Sequence, residues 1–128
     1  MKKMFLLFSH NLSQVQIDDA KYNLNIEEFI PLPADLQEIW SNIPSDLVFL
    51  KEYLLVIRNF LTEKSELDDV VLIQGDFGAV YQMVNFAKDL GLEAVYATTN
   101  RIIEEIVEDG KTIKKSIFEH RRFRNYGN

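Results

Sequence analysis

A chain of 128 residues with 47% hydrophobic and 12% aromatic content can bury one core and is too apolar to remain disordered. It holds no cysteine, which excludes disulfides and thiolate metal sites, and its net charge of −6 argues against general binding of duplex nucleic acid. Seven of the 14 cations but only five of the 20 acids fall in residues 101–128, so that stretch carries +2 and residues 1–100 carry −8. A small anion held by a few local cations fits this asymmetry.

Lys3–Phe8 is apolar and suits a buried first strand. His10 and Asn11 end the run, no small-residue cleavage site follows, and nothing approaches the ~18 apolar residues of a membrane span. The expectation is a cytoplasmic protein with no membrane partner. Ser13 is placed to cap a helix through about Tyr22, and Phe29-Ile30 before Pro31 makes a short second strand. Pro33 opens a short helix through Trp40. Pro44 breaks it, and Ser45-Asp46 caps a longer helix running to about Thr62.

Apolar residues from Leu47 to Leu61 cover nearly the whole circumference of that longer helix. Such a surface suits either a deeply buried core helix or a subunit interface. Asp69–Gln74 is the next strand, Phe77–Leu90 the following helix, and Gly91 its stop. Ala94–Ala97 reads as a short strand, and Ile102–Val107 with Thr112–Phe118 as a hairpin about Asp109-Gly110. The order predicts one α/β domain over residues 1–128. It is Rossmann-like, with a mainly parallel sheet, helices on both faces and a C-terminal β-hairpin.

In such a fold an anionic ligand sits at the strands' carboxyl ends, against helix N-termini. Three segments reach that edge: Ser9-His10-Asn11, Gln74-Gly75-Asp76-Phe77-Gly78, and Thr98-Thr99-Asn100-Arg101. The glycines form neither a phosphate-cradling lysine loop nor a full dinucleotide fingerprint. Asp76 reads as an N-cap, or else as a carboxylate for a cation or a ribose hydroxyl. An imidazole at His10 can protonate a departing oxygen, and Arg101 can grip phosphate bidentately. Both segments read equally as ordinary surface loops.

The tail around His120, Arg122, Phe123, Arg124 and Tyr126 interleaves cations with aromatics, suiting either a stacked base beside a phosphate or a docked strand. Asp18-Asp19, Glu27-Glu28 and Glu104-Glu105 read as solvated surface. Two histidines and no cysteine leave no metal site to expect, and the incomplete glycine fingerprint leaves no nucleotide cofactor to expect.

Taken together, five motifs resemble the CRISPR-associated Csx family numbered twenty, found with type III systems. They are Leu7-Phe8-Ser9-His10, Gln74-Gly75-Asp76-Phe77-Gly78-Ala79, Asn85-Phe86, Tyr96-Ala97-Thr98-Thr99-x-Arg101 and His120-x-Arg122-Phe123-Arg124-x-Tyr126. The likeness spans nearly the whole chain. It implies a compact relative of the CARF domain that binds cyclic tetra-adenylate and opens it as a metal-independent ring nuclease. A ribose 2′-OH would attack its neighbouring phosphate, leaving a 2′,3′-cyclic phosphate. On that resemblance His10 and Arg101 are the catalytic candidates. Ser9, Asn11, Gln74, Gly75, Asp76, Phe77, Gly78, Thr98, Thr99, His120, Arg122 and Arg124 would bind ligand. A homodimer would suit the ring's two-fold character. A non-catalytic sensor or sponge of the same nucleotide is the alternative.

Overall fold

A computed structural model describes residues 1–127. The sheet is built first from apolar runs. β1 (Lys3–Leu7) and β3 (Val70–Ile73) lie side by side, and all four residues of β3 are buried. A parallel strand covered on both faces needs such an unbroken apolar run. β2 (Glu28–Pro31) flanks β1 on the outer side. β4 (Glu93–Glu108) flanks β3, and β5 (Lys111–Asn125) closes the order β2-β1-β3-β4-β5. The first four strands run parallel and β5 runs antiparallel to β4.

Alternation along the strands divides the core. Met4, Val70, Leu72 and Val95 face α1 (Gln14–Asn23), where Ala20 and Ile26 meet them. Phe5, Leu7, Val71 and Ile73 face α2 (Ala34–Ser41), α3 (Leu55–Lys64) and α4 (Phe77–Asp89). The chain therefore winds outward in both directions from the β1/β3 boundary. This is the Rossmann-like architecture expected, with helices on both faces. Ser13 caps α1 through a reciprocal capping box with Gln16, which satisfies two otherwise orphaned N–H groups.

Two expectations are corrected. The helix anticipated from Ser45 to Thr62 begins only at Leu55, and residues 44–54 form irregular chain with turns at 45–46 and 51–54. One sheet face has room for a single apolar stripe, which Leu54, Ile57 and Leu61 fill. The Tyr53 hydroxyl donates to the carbonyls of Ile39 and Asn42, at 3.2 and 3.1 Å, holding the preceding segment across the end of α2. Val48 and Phe49 are left 84% exposed.

The second correction concerns the C-terminal third. Ala94–Ala97 and Ile102–Val107 belong to one strand, so Thr98-Thr99-Asn100-Arg101 is not a loop. β5 likewise takes in both Thr112–Phe118 and the basic tail. Dense β-branched residues keep each strand paired with the other, broken only by an irregularity at Thr98/Thr99. Asp109 (φ 52°) and Gly110 (φ 74°) turn the ribbon, both in the left-handed region that a two-residue hairpin demands. Phe123 packs beside the α1-side core and Tyr126 beside the other, so the tail is a docked strand.

Candidate ligand crevice

The strand ends converge at the β1/β3 boundary, where a doubly wound sheet opens its crevice. The Gln74 N–H donates to the Leu7 carbonyl at 3.0 Å, keeping β1 and β3 level. On the other side the Gln74 side-chain oxygen, rather than its backbone, accepts the Ala97 N–H at 2.8 Å. A side chain spans more than a peptide carbonyl, so β3 and β4 part at this point.

Helix α2 fixes both strand ends, a role not foreseen from the sequence. Trp40, 2% exposed, donates its indole N–H to the Gln74 carbonyl at 3.0 Å. Gln37 donates to the Phe8 carbonyl and to Ser41 Oγ, each at 3.0 Å, and Ser41 donates to Ser9 Oγ at 2.9 Å. The available signal was spacing: Gln37 and Ser41 stand one helical turn apart on one face.

Asp76 is the N-cap of α4, accepting the Ala79 N–H at 3.0 Å. The earlier N–H groups of that turn have no partner within the helix, and the helix dipole is positive there. Asp76→Ala is expected to destabilise the fold by about 1 kcal/mol, measured by denaturant unfolding. Phe77 is 94% exposed at the mouth, and a Cβ added at Gly78 would make ordinary van der Waals contact with Leu50 Cδ1 at 3.5 Å. Ser9, His10 and Asn11 line a cleft of about 340 Å³ with Pro31 and Gln37. The exposed His10 ring meets Phe8 edge-on at 5.5 Å between centroids.

On β4, Thr98 donates its hydroxyl to the Arg122 carbonyl at 3.1 Å, joining the two strands at the crevice rim. Beside it the Arg124 guanidinium lies over the Tyr96 ring at 4.9 Å from the centroid and donates to the Tyr96 hydroxyl. Tyr96 in turn stacks against Tyr126, whose hydroxyl donates to the Ile73 carbonyl at 2.6 Å. Burial, with Tyr96 adding to it, raises the Tyr126 phenol above its usual range and keeps it a donor.

The remaining candidates lie elsewhere. Thr99 pairs with His120, and His120 turns to the α1 side, where Nε2 lies 2.7 Å from Asp19 Oδ2 with the side chain 5% exposed. An ionised carboxylate only accepts, so Nε2 carries the hydrogen. The buried Nδ1 has no hydrogen-bond partner among the described residues. Arg122 borders a second cleft, of about 380 Å³, with Asp19 and Asn23. Arg101 lies three residues beyond Thr98, roughly 10 Å along an extended strand, and donates to Ser116 Oγ at 3.2 and 3.1 Å. The fold thus gathers Ser9, His10, Asn11, Gln74–Gly78 and Thr98 along one rim. It buries His120 behind the sheet and carries Arg101 outward.

Asp19 corrects the reading of Asp18-Asp19 as solvated surface. Burial pulls its carboxyl up, but hydrogen bonds from Asn23 and His120, with the charges of His120 and Arg122, outweigh burial and hold it below 3.8. A carboxyl lowered in the folded state stabilises the fold above its unfolded value, and that contribution fades as pH falls through the folded value. The stability difference between wild type and Asp19→Asn should therefore shrink on acidification from about pH 5 to pH 3, followed by urea unfolding at each pH.

Among the described residues, no three His, Cys, Asp or Glu side chains cluster closely enough to hold a metal, and no helix is long and apolar enough to cross a membrane. Fold and rim together define a Rossmann-like α/β protein whose polar side chains gather at the carboxyl ends of β1 and β3, with a cleft between the β1 end and β2. The chain belongs to the Uncharacterized protein MJ1673 family, which matches residues 2–124. It is 55% identical over 126 residues to Uncharacterized protein MJ1673 of Methanocaldococcus jannaschii, covering 98% of each chain. No solved structure matches it.

Proposed function

We propose that this chain is a cytoplasmic ring nuclease that binds cyclic tetra-adenylate and opens it without a metal, ending type III CRISPR signalling. The observation that carries the reading is the rim itself. An exposed imidazole at the end of β1 stands on the same sheet edge as the first turn of α4. Beyond β3, Arg124, lying over the Tyr96 ring, offers a cation on the strand pair next along, and Phe77 at the α4 start offers an exposed aromatic ring.

The chemistry asks little of the protein beyond geometry and charge. The ribose 2′-oxygen attacks the adjacent phosphorus as the P–O5′ bond breaks. The 2′-OH proton passes to solvent, and the departing 5′-oxygen takes a proton from His10. The products are a 2′,3′-cyclic phosphate and a 5′-OH. Backbone N–H groups of the α4 first turn would hold the phosphoryl oxygens while bound adenines stack on exposed aromatic rings. Arg101, carried outward on β4, would add charge only when a second copy or a bending of the arm brings it to the ring, and a ring with two-fold character suits a homodimer.

Incubation with excess cyclic tetra-adenylate in EDTA, with products separated by chromatography, tests this directly. Multiple turnovers to linear di-adenylate bearing a 2′,3′-cyclic phosphate are the expected result. Unchanged ligand that raises the melting temperature would replace the enzyme with a sensor or sponge, and neither cleavage nor a thermal shift would overturn the nucleotide reading.

A further inference from the structure

The β4–β5 ribbon leaves the sheet after the Thr98/Thr99 irregularity and extends roughly 30 Å at ~3.3 Å per residue. Every residue from Thr99 to Ser116 is exposed. A lone two-stranded ribbon is marginal in water, and a solvated one has no need of isoleucine. Yet one face carries the cross-strand rungs Ile102–Ile117, Glu104–Lys115, Ile106–Ile113 and Glu108–Lys111 in succession. Apolar rungs alternate with oppositely charged ones.

The charges also divide by strand. Glu104, Glu105 and Glu108 stand on β4, and Lys111, Lys114 and Lys115 on β5. Residues 101–118 hold four cations and four acids, so this arm is neutral on a chain of net charge −6 and does not repel a copy of itself. We propose that the arm is a docking surface for a second copy of this chain. The two arms pack face to face through the Ile102–Ile117 and Ile106–Ile113 rungs, pointing the same way about a two-fold axis along their length.

The charge pattern selects that arrangement. A two-fold axis along the arm lays each β4 over the partner's β5 at the same rung. Isoleucine then meets isoleucine, and Glu104 faces the partner's Lys115. An axis across the arm would set β4 over β4, bringing acid onto acid. Edge-to-edge pairing of like strands would align either the glutamates or the lysines, a repulsion that edge strands commonly use to prevent such pairing. Arg101 falls on the opposite face with Phe118, and stays open when the isoleucine face is covered.

The proposal does not rest on the nucleotide reading, since no ligand enters its test. Sedimentation equilibrium of the full chain should give a dimer, and I106K/I113K should weaken it by about 100-fold or more. E104K alone should weaken it, and E104K/K115E should restore it by returning opposite charges to the facing positions. Because the arm contributes nothing to the core, the near-ultraviolet circular dichroism of the buried Trp40 should match wild type in every variant, even where a lone arm frays. The absence of native cysteine allows a single spin label through T112C near the tip. Same-direction arms bring the two labels close together, whereas opposed arms separate them by roughly the arm length of 30 Å. A monomeric wild type, a dimer indifferent to I106K/I113K, or widely separated labels would each overturn the proposal.

Discussion

Trp40→Ala is expected to destabilise the protein by about 3–5 kcal/mol, the usual range for deleting a buried aromatic side chain. The indole is 2% exposed in the core between α2 and the sheet. Its removal also leaves the Gln74 carbonyl without its 3.0 Å donor. For a chain of this size the loss corresponds to a fall in melting temperature of roughly 10–20 °C, read by calorimetry. The local consequence matters as much. Trp40 lies beneath Gly75, where an added Cβ would come within 3.2 Å of the indole nitrogen. Emptying that space frees the β3–α4 turn, so ligand binding should weaken even at temperatures where the variant remains folded. Trp40→Phe, which keeps most of the volume but no N–H, should recover most of the stability. A Trp40→Ala melting temperature within about 3 °C of wild type would contradict the packing described.

His10→Ala is expected to act the other way, leaving stability unchanged and removing activity. The ring is exposed and contributes nothing to the buried clusters. Loss of a general acid typically costs 10²- to 10⁴-fold, and the defect should appear in single-turnover cleavage of cyclic tetra-adenylate with binding largely retained. If the variant cleaves at the wild-type rate, His10 is not the proton donor. Arg101→Ala complements this experiment. A residue on an arm leading away from its own crevice matters for cleavage only if a second copy or a bending of the arm delivers it. A large loss of rate would therefore tie the arm to the site, and an unaffected rate would remove Arg101 from the catalytic set.

Legibility followed the range of the interactions involved. Ser13 and Asp76 were readable as caps because capping is settled within three residues, and both bonds form as expected. Asp109-Gly110 announced its turn for the same reason. The buried strand Val70–Ile73 was evident from four successive apolar residues with no polar alternation. The segment from Leu47 to Leu61 misled because its composition fits a helix, while its path depends on Tyr53 reaching the carbonyls of Ile39 and Asn42. Similarly, Thr98–Arg101 has loop-like composition, and only its pairing with residues 118–122 makes it strand.

The candidate site divides along the same line. The sequence by itself determined the sheet's apolar strands, the helix caps and the rim residues at the ends of β1 and β3, because each follows from local propensity and hydrophobic period. Only the tertiary structure decided that Trp40, Gln37 and Ser41 hold those ends. The same is true of His120 turning away to Asp19, 101 residues distant in the chain, and of Arg101 riding outward on an arm. These placements rest on hydrogen bonds and strand register between distant segments. Their partners are chosen when the sheet assembles, and no local pattern encodes that choice.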